Sequence, residues 1–262
     1  CGKSTLARMG AGLLKPSSGE VLIDGADLSS FTPRERARRM QMVFQDPFSS
    51  LNPRMSVGAS VAEPLRMTRP ELSTSSLRDK VRSLLEKVEL RPEQAGLFPH
   101  EFSGGQRQRI AVARALVADP SLVICDEPVS ALDASVQAQV LNLLRDMQDE
   151  RGLSYLFISH DLSVVEYISD TVGVMYLGNL VEYGTTEDIF RNPLHPYTKS
   201  LLSAVPRPDP LIERKRKLQI YEPQEDIRGG VMRFDGFESV FFGLLRQLPL
   251  SHSSDEFGAD WG

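Results

Sequence analysis

The chain has 262 residues, of which 30 are basic and 35 acidic, and its formal net charge is −5. An apolar fraction of 41% and a charged fraction of 25% are typical of a globular protein. The acidic balance argues against a dedicated nucleic-acid-binding protein, and no apolar run reaches the length of a membrane-spanning helix. The two cysteines, Cys1 and Cys125, lie far apart, so neither a disulfide framework nor a cysteine-based zinc site is expected.

Directly after Cys1 stand Gly2-Lys3-Ser4-Thr5, at the start of a helix predicted for residues 3–14. These residues have the form of the second half of a phosphate-binding loop, in which backbone N–H groups surround phosphate oxygens. Lys3 would neutralise the β- and γ-phosphates, and the Ser4 hydroxyl would hold Mg²⁺. Taken alone, the four residues fit an incidental helix start equally well. Because the leading glycine of such a loop would precede Cys1, we expect an N-terminally truncated chain that binds ATP weakly or not at all and is itself inactive.

The next segment is predicted to contain strands at residues 20–24 and 40–44, with a short charged helix at 33–39 between them. Gln45 follows the second strand and opens a loop, residues 45–54, that is rich in Asp, Pro, Ser and Asn. Its side-chain amide would approach a bound metal ion and the attacking water. The alternative is a polar residue that merely ends a strand.

Residues 56–118 carry helical patterns. Within them, Ser103-Gly104-Gly105-Gln106 opens a helix and leaves backbone N–H groups exposed at its positive end, where an anion is favoured. An ordinary helix cap formed by Ser103 is the alternative interpretation.

Two acidic residues, Asp126 and Glu127, stand at the end of an apolar strand predicted for residues 121–126. Asp126 would reach Mg²⁺ through water, and Glu127 would polarise the attacking water as the general base. His160 follows the next predicted strand, residues 154–159, and its imidazole would donate to a γ-phosphate oxygen. For the two acidic residues the alternative is that they merely face solvent at a strand end, and for His160 it is a structural histidine.

The remaining elements are an amphipathic helix at 134–151, a helix at 162–168, and a hairpin of strands 171–176 and 180–183 around Gly178-Asn179. Strands that alternate with helices predict an α/β fold with a mostly parallel sheet. We therefore predict one domain at residues 1–206, with helices inserted at about 46–118. Residues 207–262 are predicted to be a C-terminal extension, without a recognisable motif, that is either a small appendix or poorly ordered.

Six short motifs follow one another along the chain. They are Lys3-Ser4, Gln45, Phe102-Ser103-Gly104-Gly105-Gln106, Asp126-Glu127, Ser130-Ala131-Leu132-Asp133 and His160.

In this order the motifs resemble those of the ATP-binding-cassette (ABC) family, over roughly residues 1–210. The resemblance implies a P-loop NTPase core with a helical signature subdomain, ATP and Mg²⁺ as ligands, and Gln45 among the residues at the metal. It also implies that two cassettes sandwich two ATP molecules. The signature residues, 103–106, would then act on nucleotide held by a second ABC ATPase subunit, and Asp133 would lie at the seam between the subunits.

A narrower resemblance is to the ATPases of peptide and nickel importers, and it rests on residues 45–55, 127–133 and 192–198. It implies two transmembrane permease subunits as partners, an extracytoplasmic solute-binding protein as an indirect partner, and no nucleic acid. The chain would bind peripherally at the cytoplasmic face of the cell membrane. Residues 52–55 resemble the second member of an unlike ATPase pair, but the solute and the identity of the partner cassette stay open.

Two other functions stay open at this point: a soluble ABC ATPase that acts on nucleic acid or ribosomes, and an inactive fragment. A single cassette, a short helical insertion and an acidic balance argue against the first. Limited proteolysis would reveal the second, since an incomplete sheet is cut easily.

Overall fold

A computed structural model describes residues 2–204, and the backbone alone for residues 240–245. The helices are α1 Lys3–Gly10, α2 Pro33–Arg39, α3 Pro47–Ser50, α4 Val57–Thr68, α5 Thr74–Lys87, α6 Gly104–Leu116, α7 Ala134–Arg151, α8 Leu162–Ile168, α9 Thr186–Arg191 and α10 Pro196–Ala204. The strands are β1 Leu22–Ile23, β2 Ala26–Asp27, β3 Met40–Val43, β4 Leu122–Asp126, β5 Ser154–Ser159, β6 Thr171–Tyr176, β7 Asn179–Thr185 and β8 Val240–Leu245. No helix in residues 2–204 is long and apolar enough to cross a membrane.

The main sheet has six strands in the order β3-β4-β5-β8-β6-β7. Strands β3, β4 and β5 are parallel, and β8 is antiparallel to both of its neighbours, β5 and β6. Strand β6 therefore runs in the same direction as β5, and four of these six strands share one direction. This arrangement, with helices packed on the sheet, confirms the predicted α/β class.

The sheet is covered on both faces, as the alternation of side chains along β4 shows. Val123 and Cys125 enter the large apolar cluster shared with α6 and α7, whereas Ile124 packs against Ala7 of α1 on the opposite face. Burial of the Cys125 thiol raises its pKa well above the ordinary value. The acidic end of β4 is therefore held between two apolar layers.

Three local predictions are corrected by the structure. Helix α1 ends at Gly10 rather than residue 14, because Gly12 adopts a left-handed φ of 67° and Leu13 N–H donates to the Arg8 carbonyl at 2.8 Å. The hairpin turns at Leu177 and Gly178, one residue earlier than predicted, and both have positive φ, as a two-residue type I′ turn requires. The first predicted strand is reduced to Leu22–Ile23.

The sequence pattern predicts no element at residues 240–245, yet β8 lies at the centre of the sheet. The rest of the predicted extension at 207–262 lies outside the described residues. The division into a domain at 1–206 with helices inserted at about 46–118 stays a prediction.

Candidate active site

Three of the predicted site residues follow neighbouring parallel strands and meet at one edge of the sheet. Gln45 comes shortly after β3, Glu127 follows β4, and His160 follows β5. The registers pair Val43 with Cys125 and Cys125 with Phe157, so the three strands end at nearly the same level. The crevice outside the carboxyl ends of parallel strands is where α/β proteins place their ligands.

The Glu127 carboxylate is the point on which these side chains converge. Its Oε1 lies 3.0 Å from Nζ of Lys3, and its Oε2 accepts a hydrogen bond of 2.9 Å from the Gln45 amide and lies 3.2 Å from Nδ1 of His160. Glu127 is 8% exposed, and the Lys3 side chain is similarly buried, whereas about half of the His160 side chain is exposed. Glu127 also has a left-handed φ of 50°, rare for a residue with a side chain. Its N–H donates to the Ile158 carbonyl at 2.9 Å.

The start of α1 supplies donors for an anion. Gly2 precedes the helix with φ 96°, and it offers no side-chain cap, so the N–H groups of the first turn are left for another acceptor. Lys3, Ser4 and Thr5 form this first turn. The predicted loop residues 2–5 therefore lie together at the same edge of the sheet as Glu127.

Asp126 has the features of a cation ligand. It is 6% exposed, and its Oδ1 has no hydrogen-bond partner. Burial raises the pKa of this carboxyl, and a hydrogen bond with Ser4 opposes that rise. A buried carboxylate beside a hydroxyl fits Mg²⁺, which prefers oxygen ligands and usually keeps water and substrate phosphates as its remaining partners. In residues 2–204 no group of three or more His, Cys, Asp or Glu side chains could hold a metal by itself.

The signature residues form a separate group at the start of α6. The Ser103 hydroxyl accepts from the Gln106 N–H at 3.3 Å, and the Gln106 side chain accepts from the Ser103 N–H at 3.0 Å, which is a capping box. These contacts join the two residues to each other, and none of them reaches Lys3 or Glu127. Gly104 faces open space, whereas Gly105 lies against α7. Asp133 caps α7 by accepting from the Val136 N–H at 3.0 Å.

Comparison with known proteins decides the family. Residues 1–130 match the family described as "ABC transporter", and residues 181–230 match the "Oligopeptide/dipeptide transporter, C-terminal region". The chain is 56% identical over 225 residues to the oligopeptide transport ATP-binding protein OppF of Salmonella typhimurium, a match that covers 85% of this chain and 67% of that protein. The chain belongs to the ABC transporter ATPase family. Within it, the chain falls in the oligopeptide and dipeptide branch predicted from the sequence.

Other relatives agree. The OppF protein of Bacillus subtilis is 53% identical, with 85% of this chain and 74% of that protein covered. The dipeptide transport ATP-binding protein DppF of Haemophilus influenzae is 56% identical, with 82% of this chain and 67% of that protein covered. These names give no support to the alternative of an ATPase that acts on nucleic acid or ribosomes.

Solved ABC structures share the fold. The ATP-binding cassette MJ0796, in a dimeric post-hydrolysis state with ADP and Pi, matches with a TM-score of 0.64 and 28% identity, over 71% of this chain and 81% of that one. CbiO1 of Clostridium perfringens, part of an ABC transporter complex, matches with a TM-score of 0.64 and 30% identity, over 73% of this chain and 75% of that one. The chain is therefore an ATPase with the P-loop NTPase fold, and ATP binding is the shared property of its family.

Two contacts in and near the candidate site are not predicted from the sequence. The first is the ion pair between Lys3 and Glu127, whose members are each predicted as functional but not as partners. The second is the contact between Gly105 and Val136. Both join residues that are distant in the chain, so only the tertiary fold reveals them.

Proposed function

We propose that the chain is the ATP-hydrolysing subunit of an importer for dipeptides or oligopeptides, with Glu127 as the general base of hydrolysis. The convergence of Lys3, Gln45 and His160 on the Glu127 carboxylate is the observation that carries this proposal. A water molecule activated by Glu127 would attack a phosphate bound by Lys3 and His160, and Gln45 would lie beside the metal and that water. The names of the relatives and the match at residues 181–230 support peptide as the solute class.

Each residue of the candidate site takes a role that its position supports. The N–H groups at residues 2–5 would bind phosphate oxygens, and Lys3 would neutralise the β- and γ-phosphates. Ser4, Asp126 and Gln45 would hold Mg²⁺. Bound Mg²⁺ would neutralise phosphate charge, and phosphoryl transfer depends on such electrostatic stabilisation together with positioning. His160, half exposed beside Glu127, would donate to a γ-phosphate oxygen.

The second group of residues would act between subunits. Ser103 and Gly104 are exposed at the start of α6, where they are accessible to nucleotide held by a second ABC ATPase subunit, identical or not. Asp133, also exposed, would lie at the seam between the subunits. This arrangement would complete each ATP site only when two cassettes close on each other.

We further propose that residues 1–206 form the ATPase domain, with a helical subdomain at about 46–118 and an extension at 207–262. The loop at 45–54 and the inserted helices would dock on two transmembrane permease subunits. An extracytoplasmic solute-binding protein would be an indirect partner. The chain would then act at the cytoplasmic face of the membrane as a peripheral subunit.

Phosphate release from MgATP tests the catalytic part of the proposal. We expect the unsubstituted protein, assembled with its partner subunits, to hydrolyse ATP, and we expect the Glu127→Gln variant to lose that activity. The control is Glu166→Gln, which neutralises an exposed carboxylate on α8. Undiminished turnover in Glu127→Gln would remove Glu127 from the role of base. Uptake of a labelled tripeptide, compared with labelled nickel ion, into vesicles that hold the permease subunits tests the solute, and uptake of nickel alone would overturn the peptide assignment.

A further inference from the structure

Gly105 lies so close to Val136 that no side chain fits between α6 and α7 at this point. A Cβ built on Gly105 would lie 2.3 Å from Cγ1 of Val136, and 3.5 Å from its Cβ and Cγ2. Carbon atoms that are not bonded approach to about 3.5–4.0 Å. Gly104 provides the internal comparison, because a Cβ there would meet nothing within 4 Å. The packing of α6 against α7 therefore favours glycine at position 105, independently of any ligand.

Val136 cannot easily withdraw from this contact. It belongs to the first turn of α7, its N–H is held by the Asp133 carboxylate, and its side chain packs against the main apolar cluster. A valine side chain in a helix has one strongly favoured χ1 rotamer. One turn further along both helices, Arg109 donates to the Gln139 side chain at 2.6 Å. Two successive contacts therefore fix α6 against α7.

We infer that Val136 is a positioning residue for ATP hydrolysis. It sets the distance between the signature at the start of α6 and Asp133 at the start of α7, within one subunit. Both helix starts are capped, Ser103 on one side and Asp133 on the other, so a change at the Gly105–Val136 contact moves the two motifs relative to each other. The functional half of this inference rests on the proposed action of the signature on nucleotide of the second subunit.

A double-mutant cycle on the full chain tests the packing without any nucleotide. Alanine in place of glycine normally stabilises a helix, because it restricts the unfolded chain. We therefore expect Gly104→Ala to leave the thermal midpoint unchanged or higher, and Gly105→Ala to lower it by roughly 4 °C or more. In the Val136→Ala background, Gly105→Ala should no longer lower the midpoint. Equal effects of the two glycine substitutions, or a loss that persists beside Val136→Ala, would overturn the packing argument.

A second measurement tests the positioning role. Val136→Ile adds a methylene at the contact, and we expect it to lower kcat for ATP about tenfold while MgADP affinity, which reports the subunit's own phosphate loop, stays within about twofold. Ala138→Ile places the same residue at an exposed position of α7 and should alter neither quantity. Unchanged kcat in Val136→Ile, or an equal fall in MgADP affinity, would refute the positioning role. If the unsubstituted protein hydrolysed no ATP, the proposed function would fail. The double-mutant cycle would still test the packing of Gly105 against Val136.

Discussion

Replacement of Glu127 by Gln is expected to tighten nucleotide binding as well as to stop hydrolysis. In the structure the Lys3 ammonium is engaged by the Glu127 carboxylate at 3.0 Å, and both side chains are about nine-tenths buried. In the proposed role of Lys3, incoming phosphates would have to displace Glu127 from the Lys3 ammonium. Glu127→Gln removes the competing charge but keeps the shape and a carbonyl acceptor, so the cost of displacing the side chain falls.

The size of the effect follows from the strength of the displaced interaction. A hydrogen bond to a charged group contributes about 1.5–3 kcal/mol to stability, and each 1.4 kcal/mol corresponds to about tenfold in a dissociation constant. Since the Gln carbonyl still accepts a hydrogen bond from Lys3, the gain in binding free energy should lie at the lower end of this range. We therefore expect ADP to bind about tenfold more tightly to Glu127→Gln than to the parent chain.

The assay is a competition titration with ADP in EDTA, so that neither Mg²⁺ ligands nor a γ-phosphate contributes. Because the result is a ratio between two chains, it holds whatever the absolute affinity is. Asp126→Asn is the matched control: it also removes one negative charge from the site, whereas the ion-pair partner of Lys3 in the described part of the chain is Glu127. If Glu127→Gln tightened ADP binding no more than Asp126→Asn does, the reasoning would be wrong, and general charge repulsion would explain the gain.

Three further substitutions measure separately how a buried carboxylate, partly exposed ion pairs and a core leucine contribute to stability. Asp126→Asn should raise the thermal midpoint of the metal-free chain, and the gain should grow as pH rises. Because the pKa of Asp126 is raised in the folded state, ionisation of this carboxyl begins to destabilise the fold above the unfolded pKa and does so fully above the folded pKa. Thermal scans from about pH 4 to 8 test this, and midpoints of the two proteins that stay a constant distance apart would contradict it. Asp119→Asn should cost less than about 1 kcal/mol in denaturant unfolding, although it breaks ion pairs with Lys80 and Arg151, because all three side chains remain partly exposed. Leu144→Ala, at a fully buried position, should cost about 2–5 kcal/mol in the same assay, and a cost like that of Asp119→Asn would place Leu144 outside the core.

Elements with local start and stop signals are predictable from the sequence to the residue. Helix α7 has the bounds predicted for it, residues 134–151, because Asp133 caps its start and Gly152, with φ 63°, ends it. Strands β5 and β6 and helix α8 also have their predicted bounds. The site residues at strand ends are likewise predictable, because an apolar run followed by a polar residue marks the edge of a parallel sheet.

Features set by contacts between distant parts of the chain could not be predicted. Strand β8 is an apolar hexapeptide that pairs with both β5 and β6. Its place between these two strands depends on their tertiary arrangement, which the sequence of the hexapeptide does not indicate. The pairing of Lys3 with Glu127 depends on α1 lying across β4 and β5. The early end of α1 depends on Gly12 taking a positive φ, a choice that the helical pattern of residues 3–14 leaves open.

The candidate active site is the part of the molecule where stability and the proposed function oppose each other. Asp126 is buried with an unsatisfied oxygen, and Glu127 has a backbone conformation that residues with side chains rarely adopt. Both residues follow Ile124 and Cys125, which are fully buried, so the apolar layers on either side hold this unfavourable arrangement in place. A bound cation would relieve the negative charge that the folded chain concentrates there. Substitutions that neutralise Asp126 should therefore stabilise the metal-free protein and abolish hydrolysis together, whereas Leu144→Ala should destabilise it without altering the chemistry of the site.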